Sequence, residues 1–169
     1  MVADIVRRAR TSRTRFYEFF TDREDCLVAL LSETNADNID TITAAVDPAA
    51  PWHTQVRQAV EAWFGCAESR RPLTLSWIRD VPALGNAARA LQRSATDQFI
   101  DLVQTLSNTP ELRAAGIPPV PRARAILLIG GLRELTAYTV ENGEPLKHIV
   151  EEAVRSAIAL IDPGSSSSA

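Results

Sequence analysis

Arg13, Thr14 and Arg15 stand in succession directly after Ser12, a residue suited to begin a helix. Three such side chains in a first helical turn can read the edges of DNA bases. A guanidinium pairs bidentately with O6 and N7 of guanine, and a threonine methyl meets the methyl of thymine. Thr11 and Ser12 bring hydroxyls to the same end, and Tyr17 carries a phenol that can bond a phosphate oxygen. Arg23, at the start of the following segment, can hold another phosphate. Phe16 and Phe20, four positions apart, share a face and can pack inward.

Other chemistry finds little footing. Cys26 and Cys66 are far apart, provide no zinc spacing or disulfide framework, and read as small buried hydrophobes. His53 and His148 are isolated. No nucleophile elbow, phosphate loop, metal-ligand pair or paired acid and base is present, so neither an enzyme, a metal site nor a cofactor is expected.

The elements that must position these residues are helical throughout, with no hairpin signal or sustained alternation. A short helix over 2–9 is followed by a tight turn at Arg10 and Thr11, then by a second short helix from 13 to 19 or 20 capped by Ser12. Thr21 and Glu24 form a capping box that launches a helix over 22–45, with Leu27, Leu30, Leu31, Thr34 and Ile42 inward. Prolines break the chain at 48 and 51. The helix over 53–69 carries Val56, Ala59, Val60, Trp63, Phe64 and Ala67 at amphipathic spacing. Arg71 and Pro72 read as a break before a short helix over 73–81, and Pro82 opens a helix to 107 with Leu84, Ala88, Leu91, Ala95, Phe99, Leu102 and Leu106 on one side. A proline-rich loop spans 108–121, and helices over 122–141 and 145–161 complete the set. Residues 162–169 read as a disordered serine-rich tail.

Charge is divided unevenly. Residues 1–15 hold five arginines against one acid, a local +4, leaving −7 for the rest of a chain whose total is −3. A basic head on an acidic body fits a modular DNA binder, the alternative being a solvated arginine-rich helix face.

Two short helices, a tight turn and a capped third helix make a helix-turn-helix pattern. The string from Val2 to Phe20, followed by Arg23-Glu24-Asp25-Cys26-Leu27, resembles the DNA-binding signature of the TetR family. The match covers about the first sixth of the chain, and the segment Gly130-Gly131-Leu132-Arg133-Glu134-Leu135 is similar to eighth helices of some members. The chain departs from the pattern at three points. Arg10 stands where the family has a turn glycine, Phe19 replaces a histidine or tyrosine, and the family's first helix, which would precede Val2, is not seen. That helix would cover Ile5, Phe16, Phe20 and Leu27, each worth roughly 1.5–3 kcal/mol when buried.

The resemblance implies an all-α fold, with a helix-turn-helix head (incomplete) over 1–45 and a helical ligand-binding and dimerisation domain over 46–161. It implies a homodimer that binds double-stranded operator DNA and releases it when a small-molecule effector binds. Trp63, Phe64, Trp77 and Phe99 are the large side chains able to line an effector pocket, or simply to pack the core. Their apolar character points to an uncharged hydrophobic effector. The last two long helices would form the dimer interface, with Leu128, Gly131, Leu135, Ile149, Ala153 and Ala157 as candidates. The other reading of residues 122–141 is a helix central to one chain's core.

With 169 residues, 46% of them hydrophobic, the chain can bury a core. It has no apolar run of membrane-spanning length and no signal peptide at Met1, so a cytoplasmic location is expected. The competing functional reading is a helical, dimeric ligand-binding module that has lost DNA binding with its first helix.

Overall fold

The computed structural model describes residues 1–162; the rest of the tail read over 162–169 lies outside the described residues, as do the side chains of Ala83, Ala87 and Ala88. Helices α1 (Val2–Arg8), α2 (Arg13–Tyr17), α3 (Arg23–Ala45), α4 (Trp52–Ser69), α5 (Arg71–Arg79), α6 (Asn86–Leu106), α7 (Pro110–Ala114), α8 (Arg122–Glu141) and α9 (Val150–Ile161) follow in order, with 3₁₀ turns at Val81–Leu84 and Leu146–His148. No helix among the described residues is long and apolar enough to cross a membrane.

Side-chain caps open α2, α3 and α7. Ser12 accepts the Arg15 amide at 3.0 Å and opens α2 as its sequence position predicts. The cap of α3 lies one residue later than the Thr21–Glu24 box. Asp22 accepts the Asp25 amide at 2.8 Å, and Asp25 reaches back to accept both the amide and the hydroxyl of Thr21. A carboxylate is the stronger acceptor beside the positive end of a helix, so Asp22 takes the role. Arg71 and Pro72 do not interrupt the chain for long: α5 starts at Arg71, with proline in its first turn, where its missing amide costs nothing. Pro82 sits in the 3₁₀ turn, and α6 begins only after Gly85 at φ 59°. Within the expected loop, Thr109 caps the short α7. The final helix is preceded by the turn Leu146–His148 and begins at Val150.

The body is a bundle in which α4 packs on α3 and α9, and α6 on α3 and α8. Its main core joins Val60, Phe64, Ile100, Leu128, Val154 and Ile161, all buried. A second cluster around Ile42, Phe99 and Ile129 ties α3 to α6 and α8. A third, with Leu31 and Val81 fully buried, pins the first half of α3 to the 3₁₀ turn and to Leu91 of α6. Each fully buried aliphatic side chain contributes roughly 1.5–3 kcal/mol. Leu30, expected inward, is instead 47% exposed, because Leu31 and Thr34 hold the inward face of α3.

Candidate nucleic-acid interface and ligand cavity

The head is built on two buried side chains. Val6 of α1 and Phe16 of α2 are each less than a tenth exposed, and Phe16 packs against Tyr17 and Phe20 with ring centroids 5.3 Å apart. Phe16 is thus buried among the described residues, while Ile5, Phe20 and Leu27 are half-buried.

Thr11, Ser12, Arg13, Thr14, Arg15, Tyr17 and Arg23 are all exposed. They differ in how freely they can act. The Ser12 oxygen already accepts a backbone amide as cap, which leaves its hydroxyl proton for an outside acceptor. Arg15 donates to Glu18 at 2.6 Å and lies over the Phe19 ring at 4.6 Å, so it must leave both to reach a base. Arg13 has no ion-pair partner among the described residues and projects from the first turn of α2. Phe19, in place of a polar residue, is 62% exposed and serves as the platform for Arg15.

The turn between α1 and α2 carries backbone strain. Arg10 has φ 52°, while its amide bonds the Arg7 carbonyl at 3.3 Å and the Thr11 amide bonds the Val6 carbonyl at 2.9 Å. This is the glycine-type helix ending with arginine at its left-handed position.

Two neighbouring cavities of the body share part of their walls. The larger, about 440 Å³, is bounded by α3, α4, α5, α6 and α8. Trp63, Trp77 and Phe99, three of the four expected pocket residues, line it. Phe64 does not; it is buried in the main core. A smaller chamber of about 70 Å³ shares Ile42, Trp63 and Phe99 with the first. Its lining includes Gln55, whose amide nitrogen holds the Pro48 and Ala50 carbonyls and whose buried oxygen accepts no hydrogen bond.

The larger cavity is not purely apolar. Trp63 donates its indole N–H to the Thr136 hydroxyl at 3.1 Å, fixing the ring against α8, and Asn35 donates to Gln98 at 2.6 Å across α3 and α6. Arg133 reaches from α8 to donate to the Thr96 hydroxyl at 3.0 Å. Burial lowers the affinity of its guanidinium for the proton, though arginine stays charged. Arg133, Thr96, Thr136 and Asn35 are not among the pocket residues expected from sequence. The available signal was spacing: Arg133 lies four residues after Ile129 and three before Thr136, on the inward side of α8.

The interface candidates divide in two. Leu128, Ala153 and Ala157 are buried inside the chain's own core, and Ile149 packs partly against it. Gly131 is exposed and Leu135 is 37% exposed. The outward apolar surface of α8 is instead Ile126, Leu127, Leu135 and Tyr138, with open space beside Gly130 and Gly131.

Burial pushes the Cys66 thiol up, and burial followed by the Asp25 charge does the same for Cys26, so both remain protonated. His53 is exposed and edge-on to Trp52 at 5.4 Å, and no three metal-ligating side chains converge among the described residues.

No family model and no curated protein matches the sequence. The fold is shared with solved structures that include two bacterial regulators. The fatty acid degradation regulator FadR from Bacillus halodurans superposes with a TM-score of 0.79 at 16% identity, over 94% of this chain and 87% of that one. The transcriptional regulator FadR from Bacillus subtilis, solved in complex with stearoyl-CoA, gives 0.79 at 14% identity, over 96% and 87%. The all-helical fold implied by the head's resemblance is thus the fold observed, and it is shared with these regulators.

Proposed function

We propose that this chain is a TetR-type transcriptional regulator that binds double-stranded operator DNA through α2 and is controlled by a small molecule in the larger body cavity. The observation that carries the reading is a physical connection. Five residues separate α2 from α3, and further along α3 lines the cavity with Asn35, Asn38 and Ile42. A ligand that favours one position of α3 over another changes the placement of α2, which is the differential affinity a switch requires. Residues 1–45 act as the DNA-reading unit and 46–161 as the sensing and dimerising unit.

The fold shared with FadR regulators supports the role, and the B. subtilis protein's complex with stearoyl-CoA supports a ligand site in a body of this shape. A cavity of about 440 Å³ falls in the range of roughly 300–1,000 Å³ usual for small-molecule sites. The protein acts as a repressor, without catalysis, in the cytoplasm, and the effector releases DNA.

The active form is a homodimer joined through α8 and α9. Gly130 and Gly131 each cost a helix about 1 kcal/mol, which close approach of a second helix would offset. Beside them Leu127 and Tyr138 are 65% and 67% exposed. Two heads then meet half-sites of a pseudo-palindrome.

Selection of duplexes from a randomised pool, followed by mobility shift at fixed salt, tests the proposal. An inverted-repeat sequence should be enriched and bound by wild type, and lost in Arg13→Ala. A chain that selects nothing at low salt is not a DNA-binding regulator.

A further inference from the structure

We propose that Arg133 is the anchor for a carboxylate, so that the cavity takes a free organic acid with an apolar body. The inference rests on the reading of this cavity as the effector site and replaces the uncharged effector expected from Trp63, Trp77 and Phe99 alone.

Arg133 is the cation of the cavity wall. Its guanidinium is half-buried, and desolvation is the cause acting on it, with no carboxylate neighbour contributing. One of its five N–H groups is used, on Thr96. Glu134 and Glu141 also line the cavity, but both are exposed, and neither pairs with Arg133 among the described residues. A partly desolvated cation without a counter-charge is costly, and a planar guanidinium with free donors fits a carboxylate bidentately. Thr96 holds the group from α6 and directs it across the cavity.

The remaining wall suits the rest of such a molecule. Trp77, Ile78, Phe99 and Trp63 offer aromatic and aliphatic surface beside the charge. A neutral alcohol, ester or thioester fills the same space and leaves the guanidinium uncompensated. With Glu134 and Glu141 also on the wall, a singly charged carboxylate meets less like-charge repulsion there than a doubly charged phosphate.

The test uses the full chain with decanoate, decan-1-ol and decanoyl-CoA as probes, read by tryptophan fluorescence, because Trp63 and Trp77 line the cavity. Decanoate should bind wild type at least tenfold more tightly than decanol. Arg133→Gln should erase that ratio by weakening decanoate relative to decanol, and Arg133→Lys should keep part of it. The wild-type comparison needs no variant and so does not depend on how Arg133→Gln folds. Equal binding of acid and alcohol to wild type, or a ratio that survives Arg133→Gln, overturns the anchor but leaves the cavity as a ligand site. Tighter binding of decanoyl-CoA than decanoate, indifferent to Arg133→Gln, also overturns it. Silence of the tryptophans toward all three probes removes the anchor and the effector-site reading together.

Discussion

Arg10 ends α1 with the same backbone turn that Gly143 uses to end α8. After α8, the Gly143 amide bonds the Val140 carbonyl at 3.2 Å and the Glu144 amide bonds the Thr139 carbonyl at 3.0 Å, with φ 75° at the glycine. After α1, the amides of Arg10 and Thr11 make the equivalent pair to Arg7 and Val6, but the left-handed residue carries a side chain. The same turn ends α7 at Gly116, with φ 77°, so the described residues hold it relaxed at two glycines and strained at Arg10.

The strain is removable. Relief of left-handed backbone in a non-glycine residue returns about 1–2 kcal/mol, more than the roughly 0.4–1 kcal/mol that glycine adds to the freedom of the unfolded chain. Arg10→Gly should raise stability by about 0.5–1 kcal/mol. Urea unfolding followed by circular dichroism checks this, and a lowered midpoint would refute the assigned turn.

Arg13 and Arg15 should contribute unequally to DNA binding. Arg13→Ala should weaken binding to a selected duplex by about 1–3 kcal/mol. Arg15→Ala should cost less, because wild-type Arg15 must first give up Glu18 and the Phe19 ring. Glu18→Gln should tighten binding for the same reason. Fluorescence anisotropy at one salt concentration ranks the three, and equal losses for the two arginines would contradict the geometry.

An acid-sensitive contact joins α4 to α9. Arg57 grips Glu151 with two hydrogen bonds, at 2.5 and 3.0 Å. Hydrogen bonding from Arg57 holds the Glu151 carboxyl below the usual carboxylate range. A carboxyl depressed in the folded state stabilises above its unfolded value, and that stability disappears as pH falls through the folded one. Wild type should therefore lose more stability than Glu151→Gln on acidification below the ordinary carboxylate range. The difference is small and shrinks with salt, since both groups are exposed. Parallel urea midpoints from neutral pH downward measure it; superimposable curves would remove the contact from the account.

The outer face of α8 predicts assembly. Leu127→Glu puts a charge on an exposed position and should leave one chain's own fold intact, because Leu127 contributes little to its core. Sedimentation should show a dimer for wild type and a monomer for the variant. Dimers in both would move the interface elsewhere.

The helices were legible where one face alone is apolar. The spacing of Val56, Val60 and Phe64 marks the buried side of α4 unambiguously, and proline and threonine at 109–110 could have marked α7 as well. On α8 apolar residues surround the axis, so periodicity cannot say which of Leu127 and Leu128 turns inward. Leu128 lies in the core for that reason, whereas Ala153 and Ala157 belong to the single apolar face of α9, which packs on α4 of the same chain. The cap of α3 was misplaced by one residue because Thr21 and Asp22 are both good caps, and only the reach of Asp25 separates them. Arg133 was missed because a charged residue on a helix reads as solvated unless another helix supplies its partner, here Thr96 of α6.

Helix α3 runs unbroken from Arg23 to Ala45, clamped at Leu31 and Ile42 against the bundle. Twenty residues separate its capped end from Ile42 in the cavity wall, an arm of about 30 Å at 1.5 Å per residue. A tilt of roughly 10° about the inner end swings the outer end through about 5 Å, more than the 3.4 Å step between stacked base pairs. The same tilt moves Leu31, eleven residues from Ile42, by roughly 3 Å, so the contacts of Leu31 with Val81 and Leu91 must shift with it for the proposed reading helix to leave its groove.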